Sequence, residues 1–87
     1  MTHVTDIQKA LDAEKLIVGT DIVLKKLKNG EVQTVYVTAN APELVKTDVI
    51  YYAKLANIPV IEIEQTNEDL KEICKKKFLI SLVAVQK

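Results

Sequence analysis

Apolar residues recur at helical spacing in two stretches of the first half of the chain. Thr5-Asp6-Ile7-Gln8 has the spacing of a capping box, and the apolar positions that follow predict a helix ending near Lys15. A second helix is predicted to follow Gly19, with Thr20 as its N-cap and Asn29-Gly30 as a left-handed stop. The first half therefore predicts two short helices.

The second half predicts two more helices. Apolar positions from Val45 to Ala56 give a long amphipathic helix that must end before Ile58-Pro59, because the residue preceding a proline disfavours helical backbone. Thr47 is a candidate cap for a second segment within this helix. Thr66-Asn67-Glu68-Asp69 has capping-box spacing and predicts a fourth helix that continues to Cys74.

Runs rich in β-branched and aromatic residues alternate with these helices. They are Leu16 to Val18, Thr34 to Thr38, Val60 to Ile63 and Phe78 to Val85. The last run is apolar at both alternating sets of positions, which predicts a central strand covered on both faces. Regular alternation of helices and strands indicates an α/β fold. We expect one domain over residues 1–87, a three-layer α/β/α sandwich with a four-stranded mixed sheet.

The composition limits both the cellular compartment expected for the protein and the side chains available for binding. The chain has 87 residues and a formal net charge of zero, its 12 basic residues are all Lys, and it has a single cysteine. Neither a secretory signal nor an apolar run long enough to span a bilayer is visible, so we expect a cytoplasmic protein without a membrane partner. A neutral chain without Arg lacks a strong basic field, so any nucleic-acid contact must use Lys, backbone and neutral polar groups.

Residues that could support catalysis are few. His3 is terminal, and Ser81 lies inside a predicted strand, so no catalytic triad can be assembled. Glu62 and Glu64 would share one face of a strand, where solvent-facing acids on an edge explain them better than a paired-carboxylate site. Cys74 occupies an apolar helical position and is expected in the core. We expect no enzyme, cofactor, metal or small-molecule substrate.

Several polar positions could bind an anion or a base, although each has an ordinary structural explanation. Gly19-Thr20 lies between a strand and a helix, where free N–H groups favour a phosphate, but a simple turn and cap would look the same. Lys25, Lys26 and Lys28 could face phosphates or only solvent. Asn40 could read a base edge or form a turn.

The segment before the last strand combines charge with an aromatic ring. Lys75, Lys76 and Lys77 could hold a nucleic-acid backbone while Phe78 stacks on a base, or they could simply suit a helix C-terminus beside a core Phe. Gly19-Thr20 and Asn40 follow strands expected to leave the same end of the sheet, and Phe78 joins them if the last strand is antiparallel. One composite site would then be built from three loops.

The chain also resembles a known family in four segments. They are Gly19-Thr20-Asp21-Ile22-Val23-Leu24-Lys25, Thr38-Ala39-Asn40-Ala41-Pro42, Tyr51-Tyr52-Ala53-Lys54-Leu55-Ala56-Asn57-Ile58-Pro59-Val60 and Lys77-Phe78. Their order and spacing resemble the kink-turn-binding ribosomal proteins, and among them the large-subunit family numbered thirty of archaea and eukaryotes. That likeness extends over essentially the whole chain.

The resemblance implies a ribosome-associated protein that binds a kink-turn, a sharply bent RNA motif of the large-subunit rRNA, with neighbouring ribosomal proteins as further partners. The resemblance carries an RNA-contacting role onto Gly19, Thr20, Asp21, Lys25, Asn40 and Phe78. The pattern of charged residues adds Lys28, Lys76 and Lys77 to this set. Two segments differ from the family pattern. Asp21-Ile22 stands where relatives commonly carry Asn or Lys before an acidic or small polar residue, and Cys74-Lys75-Lys76-Lys77 where many have a glycine.

Overall fold

The computed structural model describes residues 2–86, with side chains from residue 5 onward, so the side chain of His3 lies outside the described residues. Helices and strands alternate along the whole described chain. In order they are α1 (Thr2–Asp12), β1 (Leu16–Val18), α2 (Thr20–Lys28), β2 (Val32–Val37), α3 (Glu43–Ala56), β3 (Val60–Glu62), α4 (Asn67–Ile73) and β4 (Leu82–Gln86). None of these helices is long and apolar enough to cross a membrane.

The four strands form one mixed sheet in the order β1-β4-β2-β3. β4 is antiparallel to β1 on one side and to β2 on the other, whereas β2 and β3 are parallel. β1 and β2 therefore run in the same direction with β4 between them. The predicted mixed sheet, its central last strand and the edge position of β3 are confirmed.

Apolar side chains cover both faces of the sheet. Val23 and Leu27 of α2 and Val49 of α3 pack in one buried cluster on the first face. Ile7 of α1 and Leu70 of α4 belong to a second cluster on the other face. Two helical layers thus enclose the sheet, which confirms the three-layer α/β/α sandwich.

Three predicted helix boundaries were wrong. α1 begins at Thr2, so Thr5 lies inside the helix; no Gly or Pro precedes Thr5 to prevent the extension. α2 has Gly19 as its N-cap, with φ of 115°, a conformation open to glycine, so the helix begins at Thr20, one residue earlier than a Thr20 cap would allow. Thr47 caps nothing, because α3 is continuous over 14 residues.

The last strand is shorter than predicted. Phe78 and Leu79 are both 55% exposed, and β4 begins only at Leu82. The amide of Ile80 donates to the carbonyl of Asn67 at the start of α4 (3.3 Å), so Ile80 is held by a helix instead of by a neighbouring strand. Cys74 is buried, as expected, and burial raises the pKa of its thiol while Lys76 opposes that shift.

Candidate nucleic-acid interface

Three loops meet at one edge of the sheet, where β1 and β2 end and β4 begins. The amide of Gly19 donates to the carbonyl of Leu82 (3.4 Å), and the amide of Thr38 donates to the carbonyl of Ser81 (3.0 Å). These two bonds extend the ladders on both sides of β4 beyond the strands. Residues 19–22, 38–41 and 78–81 are thereby brought together, and we call this surface the three-loop edge.

The first loop delivers the N-terminus of α2 to this edge. Gly19 allows the sharp change of direction from β1 into the helix, and its carbonyl accepts the amide of Val23 (2.9 Å). Within the described part of the chain no side chain caps α2, so the first amides of the helix are available to an anion. Thr20 is half-buried and Asp21 is exposed in the first turn, where a carboxylate interacts favourably with the helix dipole.

The second loop presents Asn40, which is exposed and anchored. Its Oδ1 accepts the backbone amide of Asn67 (2.9 Å), and its Nδ2 donates to Oδ1 of Asn67 (3.3 Å). Asn67 is itself fixed at the start of α4, where Thr66 and Asp69 form the predicted capping box. Each polar atom of the Asn40 amide retains one further hydrogen-bonding position. Asn40 can therefore hold its loop in place and still bind a ligand.

Lys46 supports the same loop from α3. Its Nζ donates to the carbonyl of Ala39 (3.1 Å) and lies 3.6 Å from a carboxylate oxygen of Glu62. Glu62 and Glu64 are both exposed on or just after the edge strand β3, which agrees with the expectation of solvent-facing acids. One of the two is thus an ion-pair partner of a lysine that orders the site.

The third loop brings exposed apolar surface. Phe78 and Leu79 precede the buried Ile80, which anchors this loop to α4. Ile22, which is 54% exposed, lies in the first turn of α2, and its Cδ1 is 4.0 Å from the position a Cβ would occupy on Gly19. An aromatic ring and an apolar side chain therefore lie on the same edge as the polar groups.

The lysines divide between this edge and the far end of the molecule. Lys25 is exposed on α2, and Lys76 and Lys77 are exposed in the segment that leads into the third loop. Lys28 instead lies at the C-terminal end of α2, about 12 Å along the helix from Thr20. Its Nζ is 4.6 Å from the centre of the Tyr52 ring. The structure does not bring Lys28 to the three-loop edge.

Sequence reasoning missed three residues of this surface. In the sequence Asn67 is only part of a capping box, whereas in the structure it also binds Asn40, 27 positions away in the chain. Ile22 differs from the family pattern, and the sequence gives no sign that its side chain is exposed on this surface. Lys46 gave no signal, because its contact with the loop depends on the packing of α3 against the end of the sheet.

Comparisons with solved structures identify the class of fold. A protein of unknown function from Bacillus halodurans superposes with a TM-score of 0.85 at 21% sequence identity, covering 97% of this chain and 83% of that one. The 15.5 kD RNA-binding protein of Giardia lamblia superposes with a TM-score of 0.81 at 14% identity, covering 97% of this chain and 70% of that one. Identities this low establish the fold alone.

Sequence comparisons then establish the family. Residues 3–87 match the model of the Ribosomal protein L7Ae/L30e/S12e/Gadd45 family, and the chain belongs to that family. It is 38% identical to the large ribosomal subunit protein eL30 of Methanocaldococcus jannaschii over 79 residues, covering 91% of this chain and 72% of that protein. The eL30 protein of Methanothermobacter thermautotrophicus is 36% identical over 80 residues, covering 92% and 82% respectively. The resemblance found in the four sequence segments is confirmed.

Proposed function

We propose that this protein is a structural, non-catalytic component of the large ribosomal subunit that binds a kink-turn of the rRNA through the three-loop edge. The observation that carries the proposal is the meeting of three loops, each ambiguous alone, around an uncapped helix N-terminus. Similarity to eL30 proteins of the large ribosomal subunit supports it. The proposed location is the cytoplasm, on the ribosome.

Each part of the edge suits a different part of a bent RNA. The first amides of α2, together with Lys25, Lys76 and Lys77, provide positive charge and donors for phosphates, which position the RNA without reading its sequence. The remaining hydrogen-bonding positions of Asn40 can recognise a base edge. Phe78 offers an exposed ring to a base that has left the stack, as happens at irregular RNA loops.

Asp21 determines which bases this edge favours. An exposed carboxylate beside phosphates lowers affinity, whereas its oxygens can accept hydrogen bonds from the Watson–Crick edge of a guanine. A kink-turn places sheared G·A pairs beside its bend. We therefore propose that Asp21 contributes selectivity at the expense of general RNA affinity.

The test is a titration of a fluorescently labelled kink-turn RNA, with a straight duplex of equal length as the control RNA. We expect binding selective for the kinked RNA, and Asn40→Ala should weaken it by about 1–3 kcal/mol, because a base contact and the loop anchor are both lost. Asn29→Ala is the matched control, since Asn29 is an exposed asparagine at the far end of α2.

Equal affinity for the kinked and straight RNAs at low salt would contradict the proposal and favour a protein-interaction role for this fold. Co-sedimentation with large ribosomal subunits then separates the ribosomal proposal from a role in another ribonucleoprotein. A protein that binds the kink-turn but does not sediment with the subunit would belong to the second class.

A further inference from the structure

The outward face of α3 carries three exposed apolar residues. Leu44, Tyr51 and Leu55 are 80%, 59% and 69% exposed. Their spacing of seven and four residues places them along one line of the helix, on the side opposite the buried Val49 and Ala53. Surface helices ordinarily present charged or polar residues there, whereas here Asp48 is the one charged residue on the line, which is otherwise an apolar surface with no partner among the described residues.

A hollow lies beside the C-terminal end of that line. It has a volume of about 470 Å³ and lies between the end of α2 and the second half of α3, lined by Lys28, Asn29, Gly30, Tyr52, Leu55 and Ala56. Gly30 has no side chain, and among the described residues no atom beyond its two chain neighbours lies within 4 Å of the position its Cβ would take, which keeps this wall open. The hollow is at the opposite end of α2 from the three-loop edge.

We infer that this surface binds a second copy of the same chain through antiparallel packing of α3 against α3. Leu44 lies near the start of the helix and the hollow near its end, so two antiparallel copies place each Leu44 against the other copy's hollow. Both contacts arise from a single two-fold axis, which is the defining property of an isologous interface. The apolar projection and the cavity that accepts it are then present on every copy.

Charge supports this occupant over others. The register that places Leu44 opposite Ala56 of the second copy also places Asp48 opposite Tyr52, whose ring carries the Lys28 ammonium at 4.6 Å. Asp48 is exposed, and neither Asp48 nor Lys28 forms an ion pair within residues 2–86. Two symmetric Asp48–Lys28 pairs would form at the interface. An RNA partner is not favoured here, because the exposed Glu43 and Asp48 offset the charge of the exposed Lys28 and Lys54.

Sedimentation velocity of the full chain over a range of protein concentrations tests the inference. α3 is only 14 residues long, about 21 Å, so the interface is small and the dimer is expected to form between roughly 10 µM and 1 mM. The mean mass should rise above the monomer mass of 9.7 kDa over that range. Leu44→Lys should abolish the rise, whereas Leu79→Lys, the same change at an exposed leucine outside the proposed interface, should not.

Charge reversal provides the second arm. Asp48→Lys or Lys28→Asp alone should shift the midpoint of dimerisation at least several-fold toward higher concentration, and the double variant should restore it, because the pairs re-form with opposite polarity. All four positions are exposed, so these variants should retain their fold by circular dichroism. A mean mass that stays at 9.7 kDa up to 1 mM, or a double variant no better than the single ones, would overturn the inference.

Discussion

At the residue scale, Asn40 shows how one side chain can serve both the fold and the site. The sequence left two interpretations of Asn40 open, a turn-former or a base reader. The two hydrogen bonds with Asn67 establish the structural role, and they also fix which way the amide group faces. An amide of fixed orientation offers one donor and one acceptor in known directions, which favours recognition over an amide free to rotate.

Asn67 is therefore predicted to contribute to RNA affinity indirectly, by positioning the Asn40 side chain. Asn67→Ala removes the acceptor of the Asn40 Nδ2 group but keeps the backbone amide, so kink-turn affinity should fall by about 1 kcal/mol. In the Asn40→Ala background the same change should have almost no effect, because nothing remains to be positioned. A double-mutant cycle in the RNA titration measures this coupling. If the two losses of affinity are additive, Asn67 does not act through Asn40, and it either contacts the RNA directly or does not affect binding.

At the element scale, the four described helices end in the same way. One or two residues after each helix lies a residue with positive φ. Its amide and the amide of the next residue both donate to carbonyls in the last turn of the helix, which is the pattern of a Schellman motif. The residues in the left-handed conformation are Glu14, Gly30, Asn57 and Lys75. Only Gly30 is the residue type best suited to it, whereas Lys75 adopts it with a side chain that is unfavourable in that conformation.

Glycine substitution should therefore act with opposite signs at these helix ends. Glu14→Gly should raise the free energy of unfolding by roughly 1 kcal/mol, because the strain of φ 59° is relieved, whereas Gly30→Ala should lower it by a similar amount. Urea denaturation measures both. Glu14→Ala is the control for loss of the carboxylate, and it should bring no gain. A stabilisation as large for Glu14→Ala as for Glu14→Gly would show that charge, not backbone strain, is responsible.

Helix ends could be predicted from the sequence where the capping or left-handed position holds a residue type that commonly occupies it. Asn29-Gly30 and the capping box at Thr66 were predicted correctly, because their side chains or lack of them suit the backbone. Lys75 gave no signal, since a lysine is ordinarily unfavourable in a left-handed position. The predicted start of β4 at Phe78 was wrong, because an apolar run does not reveal that Phe78 is exposed. The Asn40–Asn67 pair joins distant parts of the chain and follows only from the packed fold.

At the scale of the whole molecule, charge is balanced in number but not in position. The chain has 12 basic and 12 acidic residues, yet Lys25, Lys76 and Lys77 are all exposed on or beside the three-loop edge. A neutral molecule provides little long-range attraction for RNA, so local contacts must supply most of the electrostatic affinity. The number of phosphate contacts is therefore expected to be small.

Salt dependence of kink-turn binding measures that number. With about three lysine–phosphate contacts, a plot of log affinity against log salt should have a slope of roughly −2 to −3. Lys25→Ala should make the slope shallower by about 1. Lys28→Ala is the matched change on the same helix, and it should leave the slope unaltered because Lys28 lies against Tyr52 at the far end. If Lys25→Ala and Lys28→Ala changed the slope equally, the RNA-binding surface would have to include the whole length of α2.

The central position of β4 has a consequence for the order of events during synthesis. β4 is the last of the four strands along the chain, yet it is the neighbour of both β1 and β2. Until residues 82–86 have left the ribosome, β1 and β2 have no partner between them, and the first and second loops have no common support. The strand edges of the nascent chain therefore stay exposed until then, and the three-loop edge forms in a single late step instead of growing with the chain.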